Sequence, residues 1–148
     1  MIRFRAATRA DVPEVVALLA DDTLGAGREG ADMAPYLAAF DAMLAEASNI
    51  LIVGEDAGRI VATYQLTCIS GLSLRASRRA QIESVRVSAD LRGQGLGALL
   101  MADAEARARA AGCSVLQLTS NAVRTDARRF YERLGFTASH IGFKRDLS

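Results

Sequence analysis

The chain has 148 residues, enough for one ordinary domain with a sizeable core, and its 51% apolar and 24% charged residues fit a soluble globular protein. A formal net charge of +1 and 5% aromatic residues with no Trp argue against a nucleic-acid binder built on charge and stacking, and no run approaches the ~18 apolar residues of a membrane span. We expect a single domain over residues 1–148 in the cytoplasm, with neither membrane nor nucleic acid as partner, since no apolar leader follows Arg3 and Arg5.

Residues 2–6 alternate and predict an opening strand, and Thr8 with Asp11 three positions on predicts a capping box for a first helix. Val12, Val15, Val16 and Leu19 share one face of that helix, with Pro13 in the first turn, where its missing N–H costs least. Residues 21–30 are polar, glycine-rich and aperiodic, a loop long enough to expect a function of it. A second helix follows, with Pro35 in its first turn and Met33, Leu37, Phe40, Leu44 and Ala47 as an apolar stripe for the core. Runs 50–53 and 60–69 predict two strands joined as a β-hairpin around Asp56, Ala57, Gly58 and Arg59. Residues 70–79 carry Arg75, Arg78 and Arg79, either a solvated connection or a cationic patch for an acidic ligand.

The stretch 81–98 organises the rest. Ile82, Val85 and Val87 sit among polar residues and predict a strand, interrupted by the charge of Glu83. Arg92, Gly93, Gln94, Gly95, Leu96, Gly97 and Ala98 lead into a helix with Leu99, Leu100, Ala104 and Ala108 on one face. The first N–H groups of a helix lack intrahelical partners and its dipole favours an anion, so phosphate is the natural guest. Glycines at 93, 95 and 97 permit positive φ and close approach, and Arg92 adds a charge to the rim. Gly112 stops the helix and 113–119 predicts a strand, completing a βαβ unit that sets its two strands parallel. A short helix over 126–134 stops at Gly135, and the weak alternation of 136–146 predicts a last hairpin turning near Gly142. Cys68 and Cys113 lie in or beside apolar runs and read as reduced core thiols. His140 is the only histidine, which leaves a His-based metal site or a Ser-His-Asp triad without its residues, and no metal is expected.

Three phosphate loops compete for residues 92–98. A Walker loop needs Gly-Lys followed by Ser or Thr, whereas Gly97 is followed by Ala98 and Leu99. The dinucleotide fingerprint is formally matched by Gly93, Gly95 and Ala98, but its acidic residue after the second strand is missing, because Ser120 and Asn121 stand there. The third is R/Q-x-x-G-x-G/A, met by Arg92, Gly95 and Gly97 after a strand ending Val85, Arg86, Val87. A second block follows downstream, Asn121 and then Arg128, Arg129, Phe130, Tyr131, Glu132, Arg133, Leu134, Gly135, Phe136. With both blocks in order and at the right spacing, the sequence resembles the GNAT superfamily of N-acetyltransferases over nearly its whole length.

The resemblance implies an α/β GNAT-type acyl-CoA N-acyltransferase fold, a mixed twisted sheet of about six or seven strands flanked by helices on both faces. It implies acetyl-CoA as co-substrate and a primary amine of a small molecule or peptide as acceptor, attacking directly in a ternary complex through a tetrahedral intermediate. Cofactor binding then falls to the main chain of Val85, Arg86 and Val87 beside the pantetheine arm, to Arg92, Gly93, Gln94, Gly95, Leu96, Gly97 and Ala98 around the phosphates, and to Asn121 and Arg128. A backbone N–H near Val85 is the implied donor to the carbonyl oxygen. An alkyl amine with a pKa near ~10 must lose a proton before it attacks, and Glu83 is the base, directly or through water, with burial raising its pKa. Otherwise Glu83 pairs with an arginine on the sheet. Tyr131 takes the family's acid position toward the leaving thiolate; on residue type alone, Phe130, Tyr131 and Leu134 equally form a core stripe. Asn121 holds the pantetheine arm or a water, or is an ordinary turn asparagine. Residues 21–32 and 70–80 are expected to line the acceptor site, and a homodimer is the default assembly. The alternative function is an acyl-CoA-binding sensor or interaction module on the same fold, against which the retention of Glu83 and Tyr131 argues.

Overall fold

The computed structural model describes residues 1–21, 25–27 and 29–148. β1 (Arg3–Ala6) hands over to a single 3-10 turn, Arg9–Asp11, and to helix α1 (Val12–Ala20). The expected cap forms: the Thr8 N–H and hydroxyl donate to Asp11 Oδ2 at 2.7 and 3.1 Å. The Arg5 guanidinium donates to the same carboxylate at 2.7 and 3.0 Å and to Glu55 at 2.9 Å. Those charge-assisted bonds outweigh the cost of burial and hold the Asp11 carboxyl down at about 2.

The loop expected over 21–30 lies partly outside the described residues, at 22–24 and 28, and includes a 3-10 turn, Gly25–Gly27. Helix α2 (Ala34–Ala45) follows with Pro35 in its first turn. Its predicted stripe is not core throughout: Phe40 is buried, Met33 and Leu37 are half-buried, Leu44 is 66% exposed and Ala47 lies beyond the helix. The helix packs along one narrow line, with Phe40 against Val12 and Val16 of α1, and its last turn leaves the core.

β2 (Asn49–Asp56) and β3 (Arg59–Ile69) form the predicted hairpin, with positive φ at both central residues, Ala57 and Gly58. Residues 70–78 then make an irregular crossing, in which Leu74, Arg75 and Ala76 form one left-handed turn at φ 53°, 59° and 59°. β4 (Arg79–Val87) returns antiparallel to β3, and helix α3 (Leu96–Ala110) crosses over to β5 (Val115–Leu118), parallel to β4 as the βαβ pattern requires. Helix α4 (Thr125–Arg133) ends before Gly135, which has φ +93°.

The sheet order is β1-β2-β3-β4-β5, five strands among the described residues where six or seven were expected. The difference lies in residues 136–146, which form no strand and no hairpin at Gly142, because that segment joins no ladder with the rest of the chain.

One sheet face packs Ile52, Ala62, Tyr64, Leu66, Ala80 and Ile82 against α3; the other packs Val53 and Ile60 against Val15 and Leu18 of α1. Because α3 starts at Leu96, its buried row is Leu96, Leu100, Ala104 and Ala108 at i+4 spacing, while Leu99, expected inside, is 58% exposed. A polar bolt fixes this helix. The buried Tyr64 hydroxyl donates to Asp103 Oδ2 at 2.6 Å, and Arg107 donates to that carboxylate at 2.8 Å and to the Phe4 carbonyl at 3.3 Å. Cys68 and Cys113 carry free thiols, the first buried and the second half-buried. No helix among the described residues is long and apolar enough to cross a membrane.

Candidate active site

The site begins at an irregularity in β4. Thr63 pairs with Arg86 and Gln65 with Glu83, so Tyr64 alone on β3 faces both Ser84 and Val85. This is a β-bulge, and Ser84 takes the left-handed conformation at φ +54°, which costs a non-glycine residue roughly 1–2 kcal/mol. At the same level the ladder between β4 and β5 ends. Its last pair is Ile82 with Leu118, whereas β4 runs on to Val87. Residues 83–87 therefore present an edge that β5 does not cover, and an extended guest can pair with main chain there. Val85, Arg86 and Val87 all lie on this edge, half-buried. The Arg86 guanidinium folds back to donate to the Val85 carbonyl at 2.9 Å.

β4 leads through a 3-10 turn, Ala89–Leu91, into the glycine loop. Gly93 and Gly95 have φ of +78° and +82°, and a Cβ at either would meet nothing within 4 Å. They serve conformation and open approach, not packing. The first intrahelical bond of α3 runs from Leu99 N–H to Gly95 O at 3.2 Å, so the N–H groups of Leu96, Gly97 and Ala98 precede it and face the loop opening. Gly97 has a different purpose: a Cβ there would lie 2.9 Å from Phe130 Cζ. Leu96 is buried in the core and anchors the turn from below.

The loop is braced. Arg92 donates to the carbonyls of Val87 at 3.2 Å and Asp21 at 3.0 Å, strapping it to the ends of β4 and α1 while its exposed guanidinium keeps its charge beside the loop. The Gln94 amide donates to the Asp90 carbonyl at 3.1 Å. Arg59 grips Asp90 through two bonds of 2.9 Å, and the Ser88 hydroxyl donates to the same carboxylate; together they hold that carboxyl far below the usual range.

Glu83 stands exposed at the uncovered end of β4, not buried as expected, because β5 has already ended and the bulge turns the strand outward. It accepts from Gln81 Nε2 at 3.2 Å, and Gln81 Oε1 accepts from Gln117 Nε2 at 2.6 Å, a relay from β5 that orients the carboxylate. Tyr131 is half-buried, edge-on to Phe130 at 5.2 Å and to Phe136 at 5.9 Å between ring centres. Burial pushes its hydroxyl above the usual tyrosine value, with the charges of Arg124 and Arg86 pulling part of the way back.

Asn121 and Arg128 have local partners. The Asn121 carboxamide oxygen accepts from Val123 N–H at 3.1 Å and its carbonyl from Arg124 N–H at 2.9 Å, a turn that sets up α4. Arg128 is exposed and donates to Glu132 Oε1 at 3.1 Å one turn along the helix. Gln81, Ser84, Gln117 and Arg124 were not singled out from sequence. Gln81 carried one signal, its place two residues from Glu83 on the same strand face; the bulge at Ser84 carried none.

On the α1 side, a cavity of about 120 Å³ lies between α1, α2 and the sheet and reaches the bulge at Ser84. Val16, Phe40, Met43, Thr63 and Gln65 are among its walls, none of them charged. Among the described residues no cluster of three or more His, Cys, Asp or Glu could hold a metal.

The family model described as Acetyltransferase (GNAT) family matches residues 13–136. The aminoalkylphosphonate N-acetyltransferase of Salmonella typhimurium strain LT2 is 42% identical over 67 residues, 45% of this chain and 44% of that protein, so the match spans less than half of the relative. Among solved structures, a transcriptional regulator from Bacillus halodurans C-125 superposes with a TM-score of 0.95 at 41% identity, covering 99% of this chain and 100% of that one. An acetyltransferase of Trypanosoma brucei superposes with a TM-score of 0.81 at 27% identity, covering 99% of this chain and 100% of that one. With the glycine loop at the head of α3 and the open edge of β4 both inside the matched residues, the chain belongs to the Acetyltransferase (GNAT) family.

Proposed function

We propose that this chain is an acetyl-CoA-dependent N-acetyltransferase that acetylates a primary amine of a small molecule or peptide by direct attack in a ternary complex. The observation that carries the reading is the free edge at 83–87, which runs straight into the glycine turn at the head of α3. That pair of features fits a molecule with an amide-bearing arm and a pyrophosphate: the arm continues the sheet along Val85 to Val87, and the N–H groups of the loop and of Leu96, Gly97 and Ala98 take the phosphates. Open space above Gly93 and Gly95 supports the close approach this needs.

When bound, acetyl-CoA supplies an acyl thioester whose carbonyl carbon accepts the amine. Glu83 takes the ammonium proton, directly or through water, and Gln81 fixes its direction. The Val85 N–H beside the bulge is the donor for the developing oxyanion. Tyr131 holds its proton at Oη beyond the neutral range, the state required of an acid toward the leaving sulfur. The uncharged cavity at Ser84 supports an acceptor with a small apolar group next to its amine, in contrast to the anionic aminoalkylphosphonate after which the Salmonella relative is named.

A binding-only reading, an acyl-CoA sensor, draws on the Bacillus halodurans relative described as a transcriptional regulator. Turnover separates the two. Thiol release from acetyl-CoA, followed with a thiol-reactive chromophore across alkyl amines, amino acids, peptides and aminoalkylphosphonates, is expected to depend on the amine and to favour apolar ones. Binding with no release from any amine would support the sensor.

A further inference from the structure

The sheet face turned toward α1 carries a row of polar side chains. Leu66, Ala80 and Ile82 pack against α3, so the residues between them on β3 and β4 face the other side. There Gln65 stands opposite Glu83, and Thr67 stands opposite both Asn49 and Gln81. Opposed residues of an antiparallel ladder share a face with Cβ atoms about 4.5–5.5 Å apart, which sets Gln65 and Glu83 side by side. Gln65 also lines the cavity that reaches the bulge at Ser84.

Two hydrogen-bonded relays converge on that pair. From β5, Gln117 Nε2 donates to Gln81 Oε1 at 2.6 Å, and Gln81 Nε2 donates to Glu83 Oε1 at 3.2 Å. From Glu46, the residue that ends α2, the second relay runs through Asn49: Asn49 Nδ2 donates to Glu46 Oε2 at 2.8 Å, and Gln65 Nε2 donates to Asn49 Oδ1 at 2.9 Å. The direction of this relay is set at its outer end. A carboxylate accepts and does not donate, so Asn49 gives its NH2 to Glu46 and turns its oxygen to Gln65. Gln65 then commits an N–H to Asn49 and directs Oε1 away from it. Among the described residues no group donates to that oxygen. Two acceptors, Gln65 Oε1 and the Glu83 carboxylate, are thus left together beside the bulge and the cavity.

We propose that Gln65 orients the acceptor amine, its Oε1 accepting one N–H of the nitrogen while Glu83 takes the proton that leaves. A primary ammonium has three N–H donors, and holding two of them fixes where the lone pair points once the proton has gone. An amide oxygen suits the place beside Glu83 better than a second carboxylate, because it accepts without adding a charge that would keep the amine protonated. Asn49 and Glu46 touch no substrate; they act through Gln65 as positioning residues. The inference rests on the proposed acetyl transfer and adds the group that aims the nucleophile.

Steady-state thiol release with an apolar alkyl amine tests this on three variants. Gln65→Met keeps the length of the side chain and loses its oxygen; the amine KM should rise about 5–50-fold with acetyl-CoA affinity unchanged. Gln65→Glu restores an acceptor oxygen and adds a charge, so the amine KM should return to within about threefold of the unaltered protein's or below it, while kcat falls about tenfold. Asn49→Leu leaves Gln65 its oxygen but not its orientation, and should raise the amine KM by less than Gln65→Met does. An unchanged amine KM in Gln65→Met, or in Asn49→Leu should the first variant fail to fold, overturns the proposal. So does an amine KM in Gln65→Glu as high as in Gln65→Met. No release from any amine by the unaltered protein would overturn acetyl transfer itself and this role with it, whereas release that Gln65→Met leaves untouched overturns the role of Gln65 alone.

Discussion

Phe130 of α4 stands directly over Gly97 in the first turn of α3, so close that a Cβ at 97 would lie 2.9 Å from its Cζ. The contact joins the glycine-loop end of α3 to the helix carrying Tyr131. Gly97→Ala should force the Phe130 ring aside at a cost of about 1–3 kcal/mol, read as a lower denaturant midpoint with unchanged slope. An unchanged midpoint would mean that the two helices are not tightly packed there.

Gly95 has room for a side chain but not the backbone for one. Gly95→Val must either adopt φ +82° with a β-branched residue or refold the turn, and its side chain would fill the open space proposed for the phosphates. Acetyl-CoA affinity should collapse while the fold persists. Retained affinity would remove the loop from the binding site.

Glu83→Gln should lower kcat by about 10²–10⁴-fold and leave acetyl-CoA affinity nearly intact, since the amide keeps the shape and loses the basic oxygen. An undiminished rate would dismiss Glu83 as the base.

Tyr131 gives a pH signature. Burial raises its pKa, so its proton is retained through neutrality, and the rate of a reaction using it as acid falls only as pH rises through that elevated value, above the usual ~10. Tyr131→Phe should be slower and lack this alkaline limb. If the limb persists in the variant, it belongs to another group.

Asp11 offers a test of the frame. Its carboxyl, lowered to about 2 by Arg5 and Thr8, contributes stability that is fully present above the ordinary carboxylate value near ~4 and is lost as pH falls toward 2. Asp11→Asn should cost about 1.5–3 kcal/mol at neutral pH, a difference that shrinks between pH 4 and 2. A gap independent of pH would place the loss in packing.

The parts legible in the sequence were those set by local chemistry: the Thr8 and Asp11 cap, the Ala57-Gly58 turn, the βαβ unit and the glycine loop each depend on a few neighbouring residues. What escaped depends on distant ones. The bulge at Ser84 arises from pairing with β3, and the exposure of Glu83 from where β5 stops. Nothing in the run Gln81 to Val87 announces either. Leu44 and Leu99 fit their helical patterns and still face solvent, because the pattern fixes a helix face but not how far its neighbour extends. The weak alternation of 136–146 was read as a hairpin within the sheet, yet no strand forms there, since alternation along one segment says nothing of a partner edge for it to pair with.

The open edge of β4 and the loop at the head of α3 are together proposed to bind acetyl-CoA for transfer to an amine. Calorimetric titration with acetyl-CoA, beside ATP and NAD, followed by amine-dependent thiol release, tests it most directly. Binding of acetyl-CoA alone, with release that requires an amine, is the predicted result. Failure to bind acetyl-CoA, or equal binding of ATP or NAD, would contradict it.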